Sequence, residues 1–210
     1  MFQSIIFIIS APSGTGKTSI IQSFLKMQIL NRVKLSISHT TRKKRVQEKN
    51  GEHYYFIQCD QFDKMIKQGE FLEYTKMFGN FYGTSRTEVQ RLLSNHIDIL
   101  LDINWQGAQQ IREHMPQTKI CSIFILPPSK KELIKRLYSR GQDSKQSIED
   151  RFAQAVSEMK HYKEYDYIII NDKYDQAVSD LNTIFNAEKL RLSQQIVHNS
   201  VIISQLLANS

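Results

Sequence analysis

The chain is short of the residues that staple or punctuate a protein. In 210 residues it has two cysteines, four prolines, eight glycines and one tryptophan. Cys59 and Cys121 stand far apart, with no CxxC pair and no Cys/His cluster. A disulfide framework and a zinc site of ordinary spacing are therefore excluded, and a reducing cytoplasm is the expected location. No apolar run approaches the ~18–20 residues that a membrane-spanning helix needs, so no membrane partner is expected. The first apolar run, residues 5–9, has no basic leader and is too short for a signal-peptide core, so export is not expected. Internal repeats and low-complexity stretches are also absent, which removes solenoids and flexible tails. What remains, 40% hydrophobic and 23% charged residues, is the composition of a globular domain long enough for one substantial core. A net charge of +7 points to anionic partners, either nucleotides or nucleic acid.

Two of the few glycines fall in one informative place. Ala11-Pro12-Ser13-Gly14-Thr15-Gly16-Lys17-Thr18 follows the apolar run 5–9, which reads as a buried strand, and leads into residues 19–26, which read as an amphipathic helix. Strand, glycine loop, helix is the context of a phosphate-binding loop. Gly14 and Gly16 let several N–H groups turn inward on one anion. Lys17 can reach the outer phosphates, and the Thr18 hydroxyl can coordinate Mg²⁺. Ala11, Pro12, Ser13, Gly14, Thr15, Gly16, Lys17 and Thr18 are thus all expected at a nucleoside triphosphate. The pattern normally opens with glycine, and the methyl of Ala11 is tolerable only if the backbone there keeps a negative φ.

Strands alternate with helices along the chain, which favours an α/β protein with a largely parallel sheet. Residues 33–38 read as a second strand and 54–57 as a short third. Asp60 is expected to cap a helix carrying Phe62, Met65 and Ile66 and ending at Gly69. Residues 71–74 and the turn 79–83 follow, flanked by aromatics, so that 36 to about 84 form a small, mostly β insert. The core pattern resumes with a helix near 85–95, strand 97–103, a helix over 106–114 and strand 120–126. Residues 129–160 read as helical and charged, 167–170 as the last strand, 174–192 as a helix and 201–207 as a short apolar one. Strand 97–103 delivers Asp102 to the carboxyl edge of the sheet, where ligands gather and where a carboxylate can hold Mg²⁺.

Ser38-His39-Thr40-Thr41-Arg42-Lys43-Lys44-Arg45 concentrates positive charge after a strand. Two arginines three residues apart can clamp one phosphate with planar, charge-assisted forks, whereas the alternative is a solvated basic loop or an RNA patch. The Ser-x-Thr-Thr-Arg-x-x-Arg pattern, followed by Gly51-Glu52-His53-Tyr54-Tyr55-Phe56, resembles the monophosphate-binding region of guanylate kinases. Further matches follow in order: Phe71-Leu72-Glu73, Gly79-Asn80-Phe81-Tyr82-Gly83-Thr84-Ser85, Leu101-Asp102-Ile103-Asn104-Trp105-Gln106-Gly107, Leu126-Pro127-Pro128-Ser129, Arg136-Leu137-Tyr138-Ser139-Arg140-Gly141 and Ile170-Asn171-Asp172. The resemblance runs from about residue 5 to 190.

That resemblance implies a P-loop NTPase-type parallel β-sheet flanked by helices, with a small mostly β GMP-binding insert and a helical lid. The implied division is a core of about 1–35, 85–126 and 165–192, the insert at about 36–84, the lid at about 127–162 and a helical tail at about 193–210. It implies ATP-dependent phosphorylation of GMP to GDP with Mg²⁺, held by Thr18 and Asp102. By similarity, Arg42, Arg45, Tyr54 and Tyr82 would bind the GMP phosphate, and Glu73 would read guanine. Ser38 and Thr84 would offer hydroxyls to the guanine carbonyl, and Asn104, where the family commonly has aspartate, would sit near the guanine amine. Lys17, Arg42 and the lid residues Arg136, Arg140 and Arg151 would stabilise the transferring phosphoryl group, with Asn171 nearby. The alternative from another class is a catalytically inactive guanylate kinase-like module that binds proteins. Intact Gly16, Lys17, Thr18 and lid arginines weigh against it. Nucleic-acid binding lacks any accompanying motif and is not expected. The tail could pack on the core or on a second copy of the chain, so a homo-oligomer stays open.

Overall fold

Every other residue of the first strand faces an opposite layer of helices. Ile5, Phe7 and Ile9 enter one core, and Ile6 and Ile8 the other, all at most 2% exposed. Such continuous burial is what a central parallel strand requires. The computed structural model describes residues 4–28, 33–139 and 145–208. From the N-terminus, β1 (Ile6–Ser10) leads through the glycine loop to α1 (Lys17–Met27) and then β2 (Val33–Leu35). The insert holds β3 (His39–Thr40), β4 (Tyr55–Phe56), α2 (Cys59–Lys67), β5 (Phe71–Met77) and β6 (Asn80–Ser85). The chain returns through α3 (Arg86–Ser94), β7 (Asp98–Asp102), α4 (Trp105–His114) and β8 (Ile120–Leu126). Next come α5 (Lys130–Ser139), α6 (Lys145–Met159), a 3₁₀ turn (Lys160–Glu164), β9 (Tyr167–Ile170), α7 (Tyr174–Leu190), α8 (Leu192–His198) and α9 (Ser200–Leu207).

The main sheet has the order β2-β7-β1-β8-β9 with every pairing parallel. Phe24 of α1 and Phe185 of α7 pack with Phe7 on one face, while Val89 and Leu92 of α3 and Ile111 of α4 cover the other. A third, smaller core joins Leu133 and Leu137 of α5 to Ile148 and Ala155 of α6. The insert is a separate sheet, β4-β3-β6-β5, filled by Phe62 stacked on Phe71 and Phe81 at 4.4 and 5.4 Å. The β5–β6 hairpin turns on Phe78 and Gly79, both at positive φ (48° and 76°), as a two-residue loop matching the strand twist demands.

Three local expectations change. Strand β2 stops at Leu35 instead of running to Ser38, because the chain must leave the main sheet to enter the insert. One bond, from the Ser36 amide to the Leu100 carbonyl, extends the pairing. Gln58, not Asp60, holds the N-cap of α2, and Asp60 lies in the first turn, where its charge faces the positive helix end. The stretch expected as helical over 129–160 is two helices. Both cysteines are free, and α8 and α9 leave Leu192, Val201, Leu206 and Leu207 exposed.

Candidate active site

At the end of β1 the Ser10 hydroxyl donates to the Ile103 carbonyl at 2.7 Å, tying the root of the glycine loop to the end of β7. Gly14 and Gly16 have φ of +93° and +91°, and a Cβ on Gly16 would stand 2.8 Å from Asn171 Nδ2. Glycine is therefore needed at 16 both for its conformation and for space. Gly16 also starts α1, whose first-turn amides face outward for an anion. Thr15 is turned inward: its hydroxyl donates to the Pro12 carbonyl at 2.8 Å, and its carbonyl accepts from Asn171 Nδ2 at 2.5 Å. Among the described residues the non-glycines at positive φ are Phe78 and His96, so Ala11 carries its methyl on unstrained backbone, against the core. Lys17 Nζ lies 2.5 Å from Asp102 Oδ1 and donates to the Ile103 carbonyl at 3.3 Å. Thr18 is exposed beside it on α1.

The insert supplies the other half of the cleft. Glu73 on β5 is 3% exposed and accepts from the Thr84 hydroxyl at 2.6 Å and from the Thr84 amide. Burial pushes its carboxyl up to about 7, and the two Thr84 bonds only partly oppose that. A Cβ at Gly107 would come 2.5 Å from Glu73 Oε2, so the carboxylate reaches the first turn of α4 only because residue 107 is glycine. Asn104 caps α4 by accepting from the Gly107 amide at 2.9 Å, and its Nδ2 donates to Thr75 Oγ1 at 3.3 Å. The Thr84 hydroxyl thus gives its proton to Glu73, orienting that carboxylate, where a guanine carbonyl was the expected acceptor. Ser38 lies beside β4, its carbonyl taking the Tyr55 amide.

Arg42 makes a two-pronged bond to Glu48, at 3.0 and 2.6 Å, and Glu48 also accepts from the Arg45 amide at 2.8 Å. Burial works to raise the Glu48 carboxyl, but these bonds and the two arginine charges hold it below the ordinary carboxylate range. The Arg42 guanidinium also sits 5.4 Å from the Tyr54 ring centre, and Tyr54 meets Tyr82 edge-on at 5.9 Å. Burial, helped by the Asp102 charge across the cleft, keeps the Tyr54 phenol protonated. Arg42, Tyr54 and Tyr82 are therefore gathered, while the Arg45 side chain is exposed on the same loop.

From the lid side, Arg136 of α5 donates to the Thr15 carbonyl at 3.4 Å and the Asn171 carbonyl at 3.1 Å, braced by Glu132 one helical turn back. Arg151 of α6 donates to Ser13 Oγ at 2.8 Å. Arg140 lies outside the described residues. For a metal, the Thr18 hydroxyl and the Asp102 carboxylate are hard oxygen donors at the two ends that flank the loop. That pair fits Mg²⁺ arriving on phosphates, an ion that keeps most of its waters and takes one or two protein ligands. The described residues hold no group of three His, Cys, Asp or Glu of the kind that would cage a metal by itself.

Sequence reasoning passed over Glu48, Thr75 and Glu158, and quoted Gly107 within a matched motif without giving it a role. Glu48 carried a usable signal, an acid three residues after Arg45 in a basic loop. The others have no local signal, because their partners come from distant elements.

The chain matches the guanylate kinase family model over residues 3–188. It is 55% identical over 209 residues to a guanylate kinase of Salmonella typhimurium and 54% identical to one of Escherichia coli K12, with 100% of each chain covered. Among solved structures it superposes on the guanylate kinase of Anaplasma phagocytophilum with a TM-score of 0.80 at 29% identity, over 100% of this chain and 98% of that one.

Proposed function

The chain belongs to the guanylate kinase family and is a phosphotransferase with guanylate kinase activity; from that premise we propose how its cleft joins ATP to GMP. The observation that carries the reading is the segment 102–107, which touches both halves. Asp102 and the Ile103 carbonyl hold Lys17, while Asn104 and Gly107 sit against Thr75 and Glu73. A donor phosphate at Lys17 and an acceptor base at Glu73 would thereby share one wall.

On the donor side, loop residues 11–18 wrap the ATP phosphates, with the amides from Gly14 to Thr18 turned on them, and Lys17 exchanges Asp102 for the outer ones. Thr18 and Asp102 would hold Mg²⁺, which would supply charge neutralisation on the ATP phosphates. On the acceptor side, the Arg42 fork exchanges Glu48 for the GMP phosphate, joined by Arg45, Tyr54 and Tyr82. Ionised Glu73 accepts from guanine N1–H and the exocyclic amine, with Ser38 and Asn104 contributing at the same base. Adenine presents an acceptor at N1 and leaves Glu73 unpaired, a mismatch that can cost on the order of 10⁴-fold. A GMP phosphate oxygen then bonds to the γ-phosphorus as the bond to the ADP oxygen breaks, giving ADP and GDP. Arg136, Arg140 and Arg151 stabilise the charge spread over the moving group. Full-length similarity to enzymes, not to interaction modules, leaves the inactive-module alternative without support.

A coupled ADP-release assay tests this. ADP release with ATP and Mg²⁺ is expected to need GMP and to be barely stimulated by AMP, CMP or UMP. Lys17→Ala is expected to lose turnover by about 10³-fold or more while its circular dichroism stays native. Turnover that survives Lys17→Ala would sink the assignment of the loop.

A further inference from the structure

β5 ends the insert sheet β4-β3-β6-β5, so the backbone groups on its outer side have no strand to pair with. Such groups on an edge must find partners elsewhere. Helix α4 supplies them. The Gln110 side chain closes a two-point bond on a single residue: its Oε1 accepts the Tyr74 amide at 3.0 Å, and its Nε2 donates to the Tyr74 carbonyl at 3.0 Å. Both backbone groups of one residue exchanged with one partner is the pairing that an antiparallel strand would make. One turn on, His114 Nδ1 donates to the Leu72 carbonyl at 2.7 Å, since the carbonyl can only accept. At the start of the helix, Asn104 Nδ2 donates to Thr75 Oγ1 at 3.3 Å. Residues 104, 107, 110 and 114 are three or four apart and so lie on one face of α4. As that face advances from 104 to 114, its partners on β5 step back from 75 to 72.

Glu73 sits between these anchors. The pairing of β5 with β6 slips between Phe71 and Glu73, and Phe71, Leu72 and Glu73 are buried in succession where a regular strand would alternate. A bulge of this kind re-aims a side chain. We propose that Gln110 is a positioning residue that sets base specificity: by gripping both backbone groups of Tyr74, it fixes the β5 bulge against α4 and so aims the Glu73 carboxylate at the guanine. A single bond would let β5 swivel about it, whereas two bonds through one planar amide hold the angle. The division of labour is then clear. Gly107 leaves the carboxylate room, because a Cβ there would come 2.5 Å from Glu73 Oε2, and Gln110 sets its direction. Gln110 meets only the backbone of β5 and acts on the base through its neighbour.

This inference rests on the assignment of Glu73 to guanine and deepens it. The test is Gln110→Met, which keeps the length of the side chain and removes both bonds, measured by calorimetry with GMP and with IMP. IMP keeps the phosphate and the N1–H but lacks the exocyclic amine, so a misaimed carboxylate loses two bonds to GMP and one to IMP. GMP affinity is expected to fall about ten-fold and IMP affinity about three-fold, shrinking the preference for GMP about three-fold. The KM for GMP should rise to match, while the KM for ATP and kcat at saturating GMP stay within about two-fold. Gln110→Glu is the second probe: its carboxylate cannot donate to the Tyr74 carbonyl, so the preference should shrink in the same direction. Equal losses for GMP and IMP would mark a general loosening of the insert and overturn the proposal. Unchanged GMP affinity, or a KM for ATP that rises as much as that for GMP, would overturn it too. A wild-type protein that binds IMP as tightly as GMP would instead defeat the assignment of Glu73 itself.

Discussion

Glu73 shows how much one buried charge can set. With a folded-state pKa of about 7 against an unfolded value of 4.5, the folded protein holds this proton more tightly than the unfolded chain does. Its contribution to stability is therefore full below pH 4.5 and is lost as the pH rises through about 7, a change on the order of 3 kcal/mol. GMP recognition runs the other way, because only the ionised carboxylate accepts both guanine N–H groups. Glu73→Gln is expected to flatten the pH dependence of ligand-free stability between about pH 5 and pH 8, followed by urea denaturation. The same variant should bind GMP about 10²-fold or more weakly and lose the wild type's fall in affinity below about pH 7. Calorimetry, or the fluorescence of Trp105, the single tryptophan and the neighbour of Asn104, gives the readout. A Gln variant whose stability still falls as steeply over that range would refute the assignment of the shift to Glu73.

Among the elements, α4 is the one that links structure to recognition. Its N-cap is Asn104, whose carbonyl satisfies the Gly107 amide at the place where Glu73 approaches. Removing the cap in Asn104→Ala should cost ~1 kcal/mol and lower Tm by ~2–4 °C for a chain of this length. Asn104→Asp keeps a capping acceptor and should hold Tm near wild type in the same thermal scans. Equal Tm losses in both variants would show that the Thr75 contact, not the cap, matters. The sequence motif marked residue 104 as a base-reading position, but its work in the helix start was not legible from it. That role depends on α4 beginning at Trp105, one residue earlier than the pattern alone placed it.

At the scale of the molecule, the insert and the lid meet across the loop through Arg151, Ser13 and Phe78. Such contacts between separately folded units are drawn from the less stable end of a structure and respond to ligands that bridge them. Adding GMP with a non-hydrolysable ATP analogue should shorten insert-to-lid distances in scattering or spin-label measurements, with either nucleotide alone giving less. Distances unchanged by both together would rule out closure.

The sequence by itself determined the glycine loop between strand and helix, the alternation that builds a parallel sheet, and the ordered motifs of the family. Each of these is local, because strand periodicity, left-handed glycines and helix starts depend on neighbours a few residues away. The tertiary structure alone decided that Glu48 grips Arg42, that Gly107 admits Glu73, and that Ser13 is held by α6 from 138 residues downstream. Those pairings follow from which elements lie side by side. The spatial order β2-β7-β1-β8-β9 is not the chain order, so residues distant in sequence become partners only once the sheet and its helices have packed.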